Sequence, residues 1–354
     1  MNLSRFVYVL VLFCALMTGC GSRGGAPPVI GRAYVAPATL EIRRDLGLGQ
    51  PVVATVQHGD ELDIVGRRRA FVCVRTDSGV IGWVDGRLLF DEKQMDELRD
   101  LSARAMEMPS QGRATVQEPL NVHTHANRQS PSFRRLMPGE PVDVVSHRIE
   151  PRLPFSPGRP ASPTASAPVD DWSLIRMADG KAGWALFRML YMSIPDEVAQ
   201  YAEGAHITSY QSLGEVRTGD AVKHNWLWTT ITRGMEPYEF DSFRVFVWSI
   251  RRHRYETAYI ERNVRGYYPI KIHSQPGAPP EFSLVIEEED GLRYQRTYAF
   301  QGYRVRMISK APADRSEVSL DYRADDGNGS ATSRGGGPSL FRRLIHWIKG
   351  KFGR

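Results

Sequence analysis

Cysteine has the most distinctive chemistry of the residue types in this chain, which contains Cys14, Cys20 and Cys73. Cys20 lies just after an apolar run, residues 6–16, which itself follows Arg5. The run is shorter than the ~20 residues that a membrane-spanning helix needs. A basic start, a short apolar stretch and small residues before a cleavage point are the parts of an export signal. We therefore predict that residues 1–19 are removed and that the mature chain lies outside the cytoplasm.

The residues around Cys20, Leu16-Met17-Thr18-Gly19-Cys20, resemble the lipobox of bacterial lipoproteins. The resemblance implies that Cys20 becomes the acylated first residue of the mature protein and anchors it to a membrane. It also implies a cell-envelope location. Because Gly21 stands where an Asp favours inner-membrane retention, the protein of a Gram-negative host is expected on the outer membrane, facing the periplasm. The alternative is an ordinary secretory signal with a chance cysteine at the cleavage site.

Other residue types suggest no catalytic set. The sequence has no Gly-x-Ser-x-Gly elbow, no His-Glu-x-x-His zinc motif and no P-loop. His123 and His125 place two imidazoles on one face of a predicted strand, but two ligands rarely hold zinc. We predict that both are solvated strand residues, and we expect no metal and no cofactor.

The elements that position these residues come from an internal repeat. In the first repeat, residues 30–90, Leu40-Glu41-Ile42-Arg43 is followed by a Gly-Asp turn that leads into an apolar strand, by the aromatic strand Phe71-Val72-Cys73-Val74-Arg75, and by the hairpin Gly79-Val80-Ile81-Gly82-Trp83-Val84. The second repeat, residues 113–192, shows the same order and ends in Gly180-Lys181-Ala182-Gly183-Trp184-Ala185. The blocks alternate apolar and polar residues, which indicates half-buried strands.

Both repeats resemble bacterial SH3-like domains, which show these four elements in this order. The resemblance implies small β-barrels whose ligand surface lies near the aromatic and Arg positions. On that basis we predict ligand contacts at Arg43, Trp83, Trp172 and Trp184, although His123 replaces the Arg in the second repeat. The partner implied is peptidoglycan or an envelope protein. Such repeats often accompany a papain-like cell-wall peptidase, which needs a nucleophilic Cys beside His, and no Cys follows Cys73.

The repeat also predicts the environment of Cys73. It aligns with Leu174, an apolar position inside an alternating strand. We therefore expect a buried cysteine that packs as a small hydrophobic residue. After removal of Cys14 and acylation of Cys20, Cys73 has no disulfide partner within the chain.

The predicted fold class is all-β, with two tandem SH3-like barrels, a C-terminal antiparallel β-domain that is a sandwich or open barrel, and short linking helices. Helical spacing of Met95, Leu98, Leu101 and Ala105 indicates the first helix. The predicted segments are a helical linker (91–112), a Pro-rich insertion in the second repeat (150–170), a linker helix (193–205), a β-rich domain of unknown family (206–310), a disordered linker (311–338) and a basic amphipathic helix (339–354).

The basic C-terminal segment, residues 339–354, carries apolar residues at helical spacing with cations on the other faces. We predict that Arg342, Arg343, Trp347 and Lys349 contact anionic lipid at a membrane surface. A helix that docks on another domain, or a disordered end, is the alternative.

Composition narrows the function. The net charge of +6 on an exported chain suggests anionic envelope material as a partner. The alternative is that the basic surface only aids solubility. Nucleic acid is not an expected ligand outside the cytoplasm. The predicted function is that of a non-enzymatic cell-envelope lipoprotein, a scaffold whose barrels bind peptidoglycan or a protein. The alternative is an envelope glycan hydrolase with carboxylate chemistry in the 206–310 domain.

Overall fold

The computed structural model describes residues 27–47, 49–152, 169–275 and 277–313. The predicted export signal with Cys20, most of the Pro-rich insertion, and the C-terminal segment with Arg342, Arg343, Trp347 and Lys349 lie outside the described residues. Within the described part of the chain, no helix is both long and apolar enough to cross a bilayer.

The first repeat forms a seven-stranded antiparallel sheet that closes around one apolar cluster. Its strands are β1 (Gly31–Val35), β2 (Thr39–Arg43), β3 (Val52–Gln57), β4 (Glu61–Arg68), β5 (Phe71–Arg75), β6 (Ile81–Asp85) and β7 (Leu89–Phe90). They are arranged in the order β3-β2-β6-β5-β4-β1-β7. A 3-10 turn at Gly86–Leu88 joins the last two strands.

The second repeat forms a sheet with the same plan. Its strands are β8 (Gly112–Val116), β9 (Leu120–His123), β10 (Ser132–Leu136), β11 (Val142–Pro151), β12 (Val169–Arg176), β13 (Ala182–Leu186) and β14 (Leu190–Met192). Their order, β10-β9-β13-β12-β11-β8-β14, is that of the first sheet with every label raised by seven. Trp83 pairs with Cys73, and Trp184 pairs with Leu174, so the two sheets share this register as well.

The glycines of the two hairpins have separate roles. Gly79 and Gly180 have φ angles of 83° and 79°, the left-handed conformation that their turns require. Gly82 lies against the first core, where an added Cβ would meet Ile42 Cγ2 at 2.6 Å. Gly183 lies against the second core, where an added Cβ would meet the Phe133 ring at 2.7 Å. The space at these positions is therefore filled by core side chains from neighbouring strands and, at Gly82, also by the main-chain oxygen of Arg43.

The predicted helix between the repeats is present as α1 (Glu92–Glu107). Asp91 caps it by accepting the Gln94 N–H at 2.8 Å, and the Gln94 side chain accepts the Asp91 N–H in return. Its buried residues are the four that the spacing predicted, Met95, Leu98, Leu101 and Ala105. They join the apolar cluster of the second repeat.

The C-terminal domain is one seven-stranded meander, in which each strand pairs with the next in sequence. Its strands are β15 (His206–Thr218), β16 (Ala221–Ile231), β17 (Phe240–Ser249), β18 (Arg254–His273), β19 (Glu281–Glu287), β20 (Arg293–Gln301) and β21 (Arg304–Pro312). Successive strands contribute to one aromatic-rich core, so the sheet curves around it. This arrangement fits the open-barrel alternative and not the sandwich.

A second short helix, α2 (Asp196–Ala199), precedes the C-terminal domain and continues into a 3-10 turn at Gln200–Ala202. Pro195 lies at its N-terminus, as predicted. Val198 is buried against Trp228, Phe246 and Tyr255 of the C-terminal sheet. The linker is thus packed on the domain that it introduces.

Candidate functional site

The structure brings two of the predicted ligand residues together. Arg43 and Trp83 are cross-strand partners on β2 and β6. The Arg43 guanidinium donates to Gln50 O at 2.8 Å and to the Glu41 carboxylate, and its side chain is half exposed. Phe71 and Ile81, on the same outer face of the sheet, are 41% and 39% exposed. The first repeat therefore presents an apolar surface beside a cation, which we call the open face (Arg43, Phe71, Cys73, Ile81 and Trp83).

The two tryptophans of the second repeat lie in a different environment. Trp172 is 1% exposed and Trp184 is 5% exposed. The edge of the His123 ring lies against Trp172 with ring centroids 5.3 Å apart, and Arg148 lies over the Trp184 ring. Burial leaves these rings no free face for a sugar or peptide, which argues against the ligand contacts predicted at Trp172 and Trp184.

Helix α1 covers the outer face of the second repeat. Ser102 Oγ on the helix accepts the Ala182 N–H at 3.0 Å. Arg176 Nη1 donates to the main-chain oxygens of Ala105, Met106 and Met108, near the C-terminal end of the helix, at 3.3, 3.3 and 2.9 Å. A basic side chain is favourable at this end because it satisfies carbonyls that have no partner within the helix.

The corresponding arginine of the first repeat has no helix above it. Arg75 pairs with Asp63 at 2.8 Å, as Arg176 pairs with Asp143 at 3.2 Å. Its second guanidinium contact is Pro27 O at 3.4 Å. Cys73 is accordingly half-buried, and burial raises its thiol pKa, whereas Leu174 is fully buried. The expectation of a buried Cys73 was wrong because α1 packs on β12 and β13 of the second repeat, whereas its main contacts with the first repeat are with β1 and β7.

Of the two histidines predicted to be solvated, His125 is exposed, whereas His123 is half-buried. Burial lowers the pKa of both His123 and His125, and His123 Nδ1 contacts Ser130 O at 3.0 Å. Within the described residues, no group of three or more His, Cys, Asp or Glu side chains is placed to hold a metal.

Sequence reasoning missed a buried cluster of charged residues. His147 comes from β11, Asp171 from β12, and Glu239 from the residue just before β17. His147 Nε2 contacts Asp171 Oδ1, and His147 Nδ1 lies 3.9 Å from Glu239 Oε1. The imidazole thus lies between two carboxylates, one from its own repeat and one from the C-terminal domain. No local motif marks this cluster, because its members come from three separate segments.

The electrostatics of this cluster follow from its burial. Burial alone lowers the pKa of His147, but the hydrogen bond to Asp171 and the charges of Asp171 and Glu239 outweigh it, so the pKa is raised. Burial raises the pKa of Glu239 to about 7, although the positive charge of His147 acts to lower it. The main chain fixes both acids, because Met235 N donates to Asp171 Oδ2 at 3.2 Å and Tyr268 N donates to Glu239 Oε2 at 3.3 Å.

A cleft of about 210 Å³ lies in front of Asp171, where the second repeat meets the C-terminal domain. Its wall includes the Phe187 and His206 rings, whose centroids are 4.3 Å apart. Burial lowers the pKa of His206, which favours its neutral form. Arg188 lines the cleft with an exposed side chain that has no hydrogen-bond or ion-pair partner among the described residues.

The neighbouring acid at the cleft, Asp170, is already paired with two arginines. Its Oδ2 accepts from Arg128 Nε at 2.6 Å, and its Oδ1 accepts from Arg152 Nη2 at 2.6 Å. Both arginines hold the pKa of this carboxyl below its usual range, although burial opposes them. Asp171 and Arg188 are therefore the two charged groups of the cleft wall that retain capacity for a ligand.

Comparisons with known proteins give no family. No family model and no curated protein matches the chain. An NlpC/P60 family protein from Bacillus cereus ATCC 10987 is similar at 11% identity and a TM-score of 0.22, over 52% of this chain and 65% of that protein, so the chain spans just under two thirds of its length. NlpC2 from Trichomonas vaginalis is similar at 10% identity and a TM-score of 0.16, over 83% of this chain and 100% of that one. TM-scores this low carry no information on fold or activity.

Proposed function

We propose that this chain is a non-enzymatic cell-envelope lipoprotein, anchored through Cys20, whose first repeat binds peptidoglycan or an envelope protein. The observation that carries the proposal is the difference between two equivalent faces. Helix α1 covers the face of the second repeat, whereas the open face of the first repeat, with Arg43 beside Trp83, is available. The second repeat and the C-terminal domain then act as the scaffold that presents it.

The chemistry of the open face suits such ligands. Phe71, Ile81 and Trp83 offer apolar and aromatic surface, which packs against sugar rings and apolar side chains alike. Arg43 adds a guanidinium that can pair with a carboxylate of a peptide or a cell-wall polymer. Contiguous exposed apolar surface beside a cation is typical of interaction sites.

The alternative, a hydrolase with paired carboxylates inside the C-terminal domain, has less support. The interior of that domain is filled by aromatic and aliphatic side chains. Its partly buried acid Glu261 accepts hydrogen bonds from Tyr259 at 2.8 Å and Arg296 at 2.7 Å, so its carboxylate is engaged. A packed core of this kind favours a scaffold.

Co-sedimentation with purified sacculi, paired with affinity capture from native membranes, tests the binding proposal. We expect Trp83→Ala to weaken retention about tenfold or more, because aromatic side chains that become covered at an interface dominate its binding energy. Ile250→Ala, at an exposed apolar position of the C-terminal domain, is the matched control and should bind like the wild-type chain. Failure of both assays with the wild-type chain, or equal binding by the Trp83 variant, would remove the open face as the site.

The two membrane contacts are tested separately. We propose that Cys20→Ala moves the protein from the membrane fraction to the soluble envelope fraction, because the lipid is lost. A weaker, salt-sensitive association of the unlipidated chain with anionic vesicles would support the contact proposed for Arg342, Arg343, Trp347 and Lys349. Equal partition onto neutral vesicles would contradict that second contact.

A further inference from the structure

The buried cluster behind the cleft is the most unusual electrostatic feature of the described residues. His147, Asp171 and Glu239 are each less than a tenth exposed. Removing charged groups from water is costly even when they are paired, and groups with perturbed pKa values concentrate at functional sites. The cleft lies at the boundary of two folded units, where small-molecule sites are common. The open face of the first repeat does not involve these residues.

The floor of the cleft can accept a cation. Asp171 is the member of the cluster that lines the cavity. One of its oxygens contacts His147, and the other accepts the Met235 N–H. An ionised carboxylate has about four acceptor positions, so two engaged contacts leave capacity for a further donor. An ammonium group meets this requirement and adds charge attraction.

The side of the cleft can accept an anion. Arg188 brings an exposed guanidinium to the cavity wall, and no described side chain pairs with it. Guanidinium groups bind carboxylates through two parallel hydrogen bonds. Phe187 and the neutral His206 ring form the wall beside Asp171 and Arg188 and add no further charge to it.

The size of the cavity limits the ligand. The cleft volume of about 210 Å³ holds several waters and therefore a small molecule. A free amino acid is of a size that this space accepts. We propose that the cleft binds a small zwitterion of the α-amino-acid class, with its ammonium group on Asp171 and its carboxylate on Arg188.

Isothermal titration of the full chain at pH 7 tests this proposal. The probes are alanine and glutamate as zwitterions, propionate as an anion without the amine, and ethylamine as a cation without the carboxylate. We expect saturable binding of at least one amino acid, and at least tenfold weaker binding of propionate and ethylamine. Absence of saturable binding by both amino acids, or equal binding of propionate or ethylamine, would overturn the proposal.

Two variants test which residue binds each charged group of the ligand. Arg188→Ala removes an exposed side chain and should weaken amino-acid binding at least tenfold without a change in melting temperature. Arg217→Ala, an exposed position at the far end of β15, is the matched control and should bind normally. Asp171→Asn should also abolish binding, with circular dichroism to confirm folding. Because the Arg188 variant does not touch the buried cluster, unchanged binding in that variant contradicts the proposal even if Asp171→Asn does not fold.

Discussion

His147 and Asp171 form an ion pair inside the protein, where their side chains are only 9% and 8% exposed. Glu239, from the C-terminal domain, approaches the other nitrogen of the same imidazole. The pair therefore connects the second repeat to the C-terminal domain by charge as well as by apolar packing. The stability of that connection therefore depends on pH.

The stability contributed by His147 and Glu239 should fall as the pH rises through neutrality, whereas His123 and His206, whose pKa values are lowered, contribute in the opposite direction. Both His147 and Glu239 have folded-state pKa values raised above their ordinary values of 6.5 and 4.5. The stability that each group contributes is fully present below its ordinary pKa. It is lost as the pH rises through the folded-state pKa, which is about 7 for Glu239. In this range these two groups bind more protons in the folded state than in the unfolded state, so their contribution to the free energy of unfolding decreases with pH. Urea unfolding at pH 5, 6, 7 and 8 measures this trend.

Glu239→Gln should make the pH slope of the unfolding free energy less negative than that of the wild-type chain. The amide keeps an acceptor for the Tyr268 N–H but has no charge to titrate. Glu215→Gln, at an exposed position of β15, serves as the control and should leave the slope unchanged. A Glu239→Gln slope equal to that of the wild-type chain, or more negative, would contradict the direction assigned to Glu239.

Equivalent positions of the two repeats should differ in sensitivity to truncation. Leu174 is fully buried beneath α1, so Leu174→Ala should cost about 2–5 kcal/mol of unfolding free energy. Cys73→Ala removes one atom from a half-buried position and should cost under about 1 kcal/mol. Chemical denaturation of the two variants compares them directly. Equal costs would mean that the first repeat is covered as tightly as the second.

The Arg176 guanidinium should hold the C-terminal end of α1. Arg176→Met keeps much of the apolar stem but removes three donations to main-chain oxygens, with an expected cost of about 1–3 kcal/mol. Hydrogen exchange should then accelerate in the last turns of α1. Arg75→Met, at the matching position of the first repeat, should leave exchange in α1 unaltered. Equal acceleration in both variants would point to general destabilisation.

Gly266 should tolerate no side chain. It pairs with Phe240 across β17 and β18, and an added Cβ would overlap the buried Phe240 ring. Gly266→Ala should therefore destabilise the C-terminal domain by about 1–3 kcal/mol or more. Gly31→Ala is the control, since its nearest neighbour would be Ile64 Cδ1 at 3.8 Å. Thermal melts followed by near-ultraviolet circular dichroism report on the aromatic core of the C-terminal domain. A normal melt for Gly266→Ala would show that Phe240 can move aside.

The sequence by itself determined the repeat, the all-β class and the helix between the repeats. Alternation along strands and the spacing of Met95, Leu98, Leu101 and Ala105 are local patterns, and the buried side of each element follows from them. The duplicated order of motifs likewise implied duplicated strand orders, which the two sheets show.

Only the tertiary structure decided which equivalent face is open and which charges meet. Trp83 and Trp184 occupy matching positions of the two motifs. The helix between the repeats packs on β12 and β13 of the second repeat, so Trp184 is buried, whereas its main contacts with the first repeat are with β1 and β7. His147, Asp171 and Glu239 are far apart in sequence and meet only when the second repeat packs on the C-terminal domain. Periodicity records the environment of a residue within its own element, whereas these contacts depend on how separate elements pack together.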